Sequence, residues 1–243
     1  MRLFVALPLP RAVQEHLDLV VSAMMPSGDP GGAGGPHPVR WVPLEQRHIT
    51  LAFYGEVPDG AVPALAADLT GELARHAPMR LRLGGAGTFS RRTLWVGVHV
   101  VRDEQAGDGA PDASREDVRS LIELMAACED VGESYARIER RDRHRAHVTI
   151  GRLSARRPAA DELADRAHAL SVYSGPVWTA THAELLSSQP GAGRSGGPLY
   201  EVVERLPLGG APAPPAPRPE GGRVAEERPG RAGQEGGARR ANR

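Results

Sequence analysis

"RHITLAF", Arg47 to Phe53, sets a histidine into an otherwise apolar extended run, and "RAHVTIGR", Arg145 to Arg152, does so again. Both read His, apolar, Thr, apolar. His48 and His147 stand 99 positions apart, too far for a local repeat. In a strand, successive side chains alternate between faces. His48 and Thr50 therefore share one face, with Ile49, Leu51 and Phe53 on the other; His147 and Thr149 share a face opposite Val148 and Ile150. The aliphatic faces suit a core. The His/Thr faces need water, a ligand or polar partners, because buried polar groups are hydrogen-bonded. One His-x-Thr strand arises often by chance. Two of them, if brought side by side, would put two imidazoles and two hydroxyls in one cleft.

The surrounding periodicities alternate between strand and helix. Leu3 to Leu7 reads as a strand. Pro10 to Met25 reads as a helix, with Val13, Leu17, Val20, Val21 and Met24 on one face and Pro10 suited to a first turn. Arg40 to Val42 and His48 to Tyr54 read as extended, and Val62 to His76 as a helix with Leu65, Leu69 and Leu73 at spacing four. Met79 to Leu83 and Leu94 to Val101 are strands, and Glu116 to Glu129 a helix. The second motif strand, His147 to Ile150, is followed by a helix over Ala160 to Leu170 and strands over Val177 to Leu186 and Leu199 to Leu206. No Gly-rich dinucleotide turn or P-loop interrupts this pattern. Each half runs helix, His strand, helix, with flanking strands, which predicts two related lobes facing one another.

Two turn-rich stretches, Pro26 to Pro38 and Arg102 to Ser114, read as surface insertions. From Gly209 the chain is Pro, Gly, Ala and charge; it lacks the apolar surface to offset ordering entropy and is expected to be disordered. Residues 1–208 then form the folded domain and 209–243 the tail. Net charge is zero, divided as seven Arg against four Glu in the tail and 23 Arg against 26 acidic residues before it. Such a body excludes bulk phosphate binding and confines any nucleic-acid contact to a local site. The 243 residues contain one cysteine, Cys128, so no internal disulfide forms. No run reaches the roughly 18 apolar residues of a membrane helix, and Pro8 and Pro10 break the apolar N-terminus. The cytoplasm is the expected location. No exposed apolar stripe is evident, and a monomer is expected.

The His/Thr set suits phosphoryl chemistry without a metal or a cofactor. One imidazole takes a proton from the nucleophile while the other gives one to the leaving oxygen; an ordinary histidine pKa of about 6.5 supplies both forms near neutrality. Each transfer contributes roughly 10²–10⁴-fold. The threonine hydroxyls hold non-bridging oxygens as charge shifts. A metal centre is not favoured: His144 and His147 would lie on opposite faces of a strand, and no Cys or carboxylate cluster completes a ligand set.

Two H-x-T-x motifs about a hundred residues apart resemble the 2H phosphoesterase superfamily. "MRLFVALPLP", "VRWVPLEQRHITLAFYGEV", "LWVGV", "RAHVTIGR" and "LLSSQPGAGRSGGPLYEVVERLPL" are similar to its RNA 2',3'-cyclic phosphodiesterase, or 2'-5' RNA ligase, branch over roughly Met1 to Leu208. The resemblance implies an α+β bilobal fold with an antiparallel sheet and helices in each lobe and the site between the sheets. It implies hydrolysis of the 2',3'-cyclic phosphate at an RNA end to a 2'-phosphate, with His48 as general acid, His147 as general base, and Thr50 and Thr149 binding phosphate. It also implies 2'-5' ligation, with a 5'-hydroxyl replacing water and no nucleotide cofactor. The residues themselves are nearly symmetric and do not assign the two roles.

The chain departs from the family at Tyr54, commonly Leu, and at Ala146, commonly Pro. Arg152 is a candidate phosphate contact, but alternation puts it opposite His147 unless a bulge intervenes at Gly151. Arg145 has the parity for the cleft. Phe4, Trp41 and Phe89 are the candidate base-stacking residues among few aromatics. Two other readings stand beside RNA hydrolysis: a phosphodiesterase for a small cyclic nucleotide or an ADP-ribose cyclic phosphate, and an RNA-end-binding module without catalysis.

Overall fold

A nine-stranded antiparallel sheet organises the protein. The computed structural model describes residues 1–24, 39–101, 113–140, 143–153, 160–193 and 196–209. The Pro26–Pro38 stretch, most of Arg102–Ser114 and all of the tail save Gly209 lie outside these residues; Ala113 and Ser114 open a helix.

The elements run β1 (Arg2–Pro8), α1 (Arg11–Ala23), β2 (Val39–Trp41), β3 (His48–Glu56), α2 (Val62–Leu73), β4 (Met79–Phe89), β5 (Thr93–Val100), α3 (Ala113–Gly132), β6 (His147–Leu153), α4 (Ala160–Ala169), β7 (Ser174–Ala180), β8 (His182–Gln189) and β9 (Leu199–Pro207). The sheet order is β7-β4-β5-β6-β3-β1-β8-β9, with β2 paired to β6. It divides into two four-stranded halves, joined where β3 meets β6. A single residue pair, Ile49 with Val148, makes that junction. The two lobes are thus continuous through one bridge and splay apart from it. β2 then takes up β6 through Arg40↔Arg152 and Trp41↔Gly151.

The lobes do not follow the halves of the sequence. The single strand expected over Val177–Leu186 is two strands, split at Thr181. β7 ends one lobe against β4, while β8 crosses to pair with β1 and β9 in the other. The helices are exchanged as well. α1 packs on β7 and α4 on β4 and β5, whereas α3 packs beneath β3 and α2 beneath β9. Apolar faces at helical spacing drive this packing: Val13, Leu17 and Val21 on α1, and Leu65, Leu69 and Leu73 on α2, are buried. β4 runs on to Phe89 because a bulge at Gly84–Ala86 lets its pairing with β5 continue.

Tyr54 has a structural reason. Its hydroxyl donates to the Cys128 carbonyl at 3.1 Å inside the core, and its ring lies with Ile138 on Gly132 at the end of α3, where a Cβ would clash with both. Gly132→Ala is therefore expected to cost about 1–3 kcal/mol by overpacking. Tyr54→Leu, the smaller family residue, should recover part of that loss when combined with it, Ile138 retaining the rest. Urea unfolding of the two single variants and the double variant checks this coupling; additive effects would contradict the Tyr54–Gly132 account.

Candidate active site

The bridge between β3 and β6 sets the site. Antiparallel pairing of Ile49 with Val148 puts His48 level with Thr149, and Thr50 level with His147, on the face away from the buried Ile49 and Val148. All four side chains line a cleft of about 550 Å³. Neither threonine hydroxyl has a hydrogen-bond partner among the described residues.

Strict alternation fails just beyond each motif, in the same way. In β3 the pairing steps from Thr50↔Ala6 to Ala52↔Val5, so Leu51 is bulged. Leu51 and Ala52 are both buried, and Phe53, expected in the core, turns 40 % exposed into the cleft. In β6 the pairing steps from Thr149↔Trp95 to Gly151↔Leu94, so Ile150 is bulged. Arg152 thereby turns onto the His147 face and lines the cleft. The bulge sits one residue before the Gly151 position that the sequence suggested.

Each imidazole is held by the backbone two residues earlier and by two aromatic rings. A His48 ring N–H donates to the Gln46 carbonyl, and the ring lies 4.9 Å from Phe4 and 5.3 Å from Tyr200, centroid to centroid. His147 Nδ1–H donates to the Arg145 carbonyl at 2.7 Å, and the ring lines the cleft. Phe89 stands edge-on to His147 at 4.8 Å, with Trp95 at 6.3 Å. Phe89 reaches it from the tight β4–β5 turn, where Ser90 and Arg91 both hold positive φ, 48° and 54°. Of the three aromatics considered from sequence, Phe4 and Phe89 thus flank the histidines, and Trp41 lines the cleft beneath the Arg166 guanidinium.

Arg145 has its guanidinium 5.2 Å over the Trp95 ring, so that its carbonyl, not its charge, meets His147. His144 pairs with the buried Glu129 at 3.1 Å. His16 and His76 are engaged as well, His16 with the Tyr173 hydroxyl and His76 with Glu72. Among the described residues no group of three or more His, Cys, Asp or Glu is placed to hold a metal.

Arg47 and Tyr200 are among the site residues that the sequence did not point to. Arg47 shares the parity of Ile49, and its side chain is buried; Nε donates to the Val42 carbonyl at 3.0 Å and Nη2 to Asp18 Oδ1 on α1 at 2.9 Å. It pins the turn that delivers His48. Tyr200, on β9, reaches the cleft only because β9 returns to the first lobe.

Burial pushes His48 down to about 4, aided by the positive charge of Arg152 and by His147 and opposed by the Gln46 hydrogen bond. His48 is thus neutral in the free protein at neutral pH, where an ordinary histidine would be part-protonated. The unfolded chain takes up that proton near pH 6.5, so His48 withdraws folding stability as the pH falls from about 6.5 towards about 4. In the free protein the His48 ring should titrate at about 4 by NMR. Arg152→Gln should raise that value, as should inorganic phosphate; titration near 6.5, unmoved by either, would contradict the site electrostatics.

Comparison with known proteins agrees on one family. Residues 34–192 match the model of the 2'-5' RNA ligase superfamily. An RNA 2',3'-cyclic phosphodiesterase of Geobacillus stearothermophilus is 32 % identical over 216 residues, 86 % of this chain; the chain spans 58 % of that relative's length. One from Thermus thermophilus is 31 % identical over 233 residues, 91 % of this chain and 100 % of the relative. Among solved structures, a Thermus thermophilus protein superposes with a TM-score of 0.56 at 28 % identity, covering 86 % of this chain and 99 % of the other. Escherichia coli LigT complexed with 3'-AMP shares the fold at a TM-score of 0.58 and 24 % identity, over 85 % and 97 % of the two chains.

Proposed function

This chain belongs to the 2'-5' RNA ligase superfamily, and we propose that it hydrolyses the 2',3'-cyclic phosphate at an RNA end to a 2'-phosphate, without a metal or cofactor. One observation carries the reading: two imidazoles and two threonine hydroxyls, the latter without a hydrogen-bond partner among the described residues, face each other across one bridge, in a cleft that also bears arginine. The names of the Geobacillus and Thermus relatives support the same substrate class.

The residues divide the reaction as follows. Thr50, Thr149 and Arg152 bind the non-bridging phosphate oxygens. His147 is the general base: the Arg145 carbonyl holds the proton on Nδ1, so Nε2 takes one from the attacking water. The new P–O bond forms in line with the P–O3' bond that breaks. His48 is the general acid and gives its proton to O3', leaving a 3'-hydroxyl and a 2'-phosphate. Because His48 is neutral in the free protein, it takes up that proton as the anionic phosphate offsets Arg152 and His147. With the 5'-hydroxyl of a second RNA in place of water, the same proton transfers give 2'-5' ligation. Residues 1–208 form the catalytic unit, acting as a monomer in the cytoplasm; both histidines come from one chain, and Cys128 is buried in its core.

An RNA oligonucleotide ending in a 2',3'-cyclic phosphate, incubated with the protein in EDTA, is expected to yield a 2'-phosphate end. Thr50→Val and Thr149→Val should each lower kcat by roughly 10²-fold, the loss seen when one oxyanion donor is removed. Turnover only of a small cyclic nucleotide or an ADP-ribose cyclic phosphate would move the assignment to that substrate class. Binding of the RNA end without turnover would make the protein a binding module.

A further inference from the structure

The cleft carries more positive charge than one cyclic phosphate requires. Arg2, Arg40 and Arg152 line it, and no Asp or Glu does so among the described residues. Elsewhere Arg11, Arg47, Arg75 and Arg140 each hold a carboxylate. Arg40 and Arg152 have no ion-pair partner among the described residues, yet they are direct cross-strand partners on β2 and β6. Like charges placed opposite one another across strands are destabilising. This pair is tolerable in a site that fills with anion.

A cyclic phosphodiester bears one negative charge. Its two non-bridging oxygens are already met by Thr50, Thr149 and Arg152 on the reading above. Arg2 stands 5.0 Å over the Phe53 ring; Arg40 is left over, opposite Arg152 but one strand across from it. β2 takes the edge of β6 that β3 has left, three residues past Thr149. Arg40 therefore stands along the cleft from the histidine pair, one residue beyond Trp41 and away from the turn at Pro43. We propose that Arg40 is a specificity-determining residue that holds a second phosphate, the one on the 5' side of the terminal nucleotide. Its guanidinium offers the forked donor set that two phosphate oxygens accept. The site then distinguishes an RNA end from a mononucleoside by this charge. The inference rests on the phosphodiesterase reading and adds to it a residue and a preference.

The test uses two substrates that differ in one group: a nucleoside 2',3'-cyclic phosphate, and the same molecule carrying a 5'-phosphate. The full chain is expected to favour the second by about tenfold or more in kcat/KM, the fold-change of one charge-assisted hydrogen bond. Arg40→Gln should bring the preference to within about twofold and make the salt dependence on the 5'-phosphorylated substrate shallower by about 0.7–1 in log–log slope. Arg40→Lys should recover part of both. An equal fall of Arg40→Gln on the two substrates would place Arg40 on the reacting phosphate and overturn the proposal, as would a wild-type protein that treats them alike. Turnover of neither substrate, with an RNA oligonucleotide ending in a 2',3'-cyclic phosphate also left intact, would remove the phosphodiesterase reading itself; turnover of the RNA alone would overturn this inference and leave that reading standing.

Discussion

The pairing of Ile49 with Val148 is the contact on which the site depends. It is the one described residue pair between β3 and β6, the strands that join the two halves of the sheet. Both residues are fully buried. Because strand side chains alternate, burying this pair forces His48, Thr149, His147 and Thr50 to the opposite face, in two level pairs. A one-residue slip would turn all four into the core. The aliphatic packing of the bridge and the polar facing of the cleft are therefore one decision, made by the hydrophobic effect. The strands separate at once beyond the bridge, which opens a groove where a continuous ladder would have closed it.

Around that pair the lobes repeat each other in detail. Each imidazole donates to a carbonyl two residues upstream, Gln46 or Arg145. Each is flanked by two rings, Phe4 and Tyr200 on one side, Phe89 and Trp95 on the other. Each motif strand is bulged just after its threonine, so that the residue five places past the histidine, Phe53 or Arg152, returns to the cleft. The repetition breaks in chemistry at that last position: an aromatic ring stands at one end and a cation at the other. Arg152 and His147 both lower the affinity of the buried His48 for a proton. An anion placed between these groups would reverse that effect.

Much of this was legible in the residues. The twin motifs, the antiparallel α+β architecture and the membership of His48, Thr50, His147 and Thr149 in one cleft all follow from spacing, alternation and resemblance. What escaped was set by contacts distant in sequence. Nothing in Val177–Leu186 announces that Thr181 divides two strands of opposite lobes, because both are apolar enough to be buried wherever they pair. The exchange of strands decided that Tyr200, near the C-terminal end of the fold, would face His48. The bulges at Leu51 and Ile150 reversed the facing of Phe53 and Arg152, and a bulge depends on the partner strand more than on local sequence. Arg47 did leave a signal: an arginine in phase with Ile49 and Leu51 belongs on the apolar face, and there it needs the carboxylate contact that Asp18 supplies.

Joint action of the two imidazoles across the bridge is tested most directly by a double-mutant cycle on kcat/KM for a nucleoside 2',3'-cyclic phosphate, with wild type, His48→Ala, His147→Ala and the double variant. Residues that serve one transition state together are not additive. Each single variant is predicted to lose roughly 10²–10⁴-fold, and the double variant little more than either. Losses that multiply, or a single variant with wild-type turnover, would show that the histidines share a cleft without sharing a reaction.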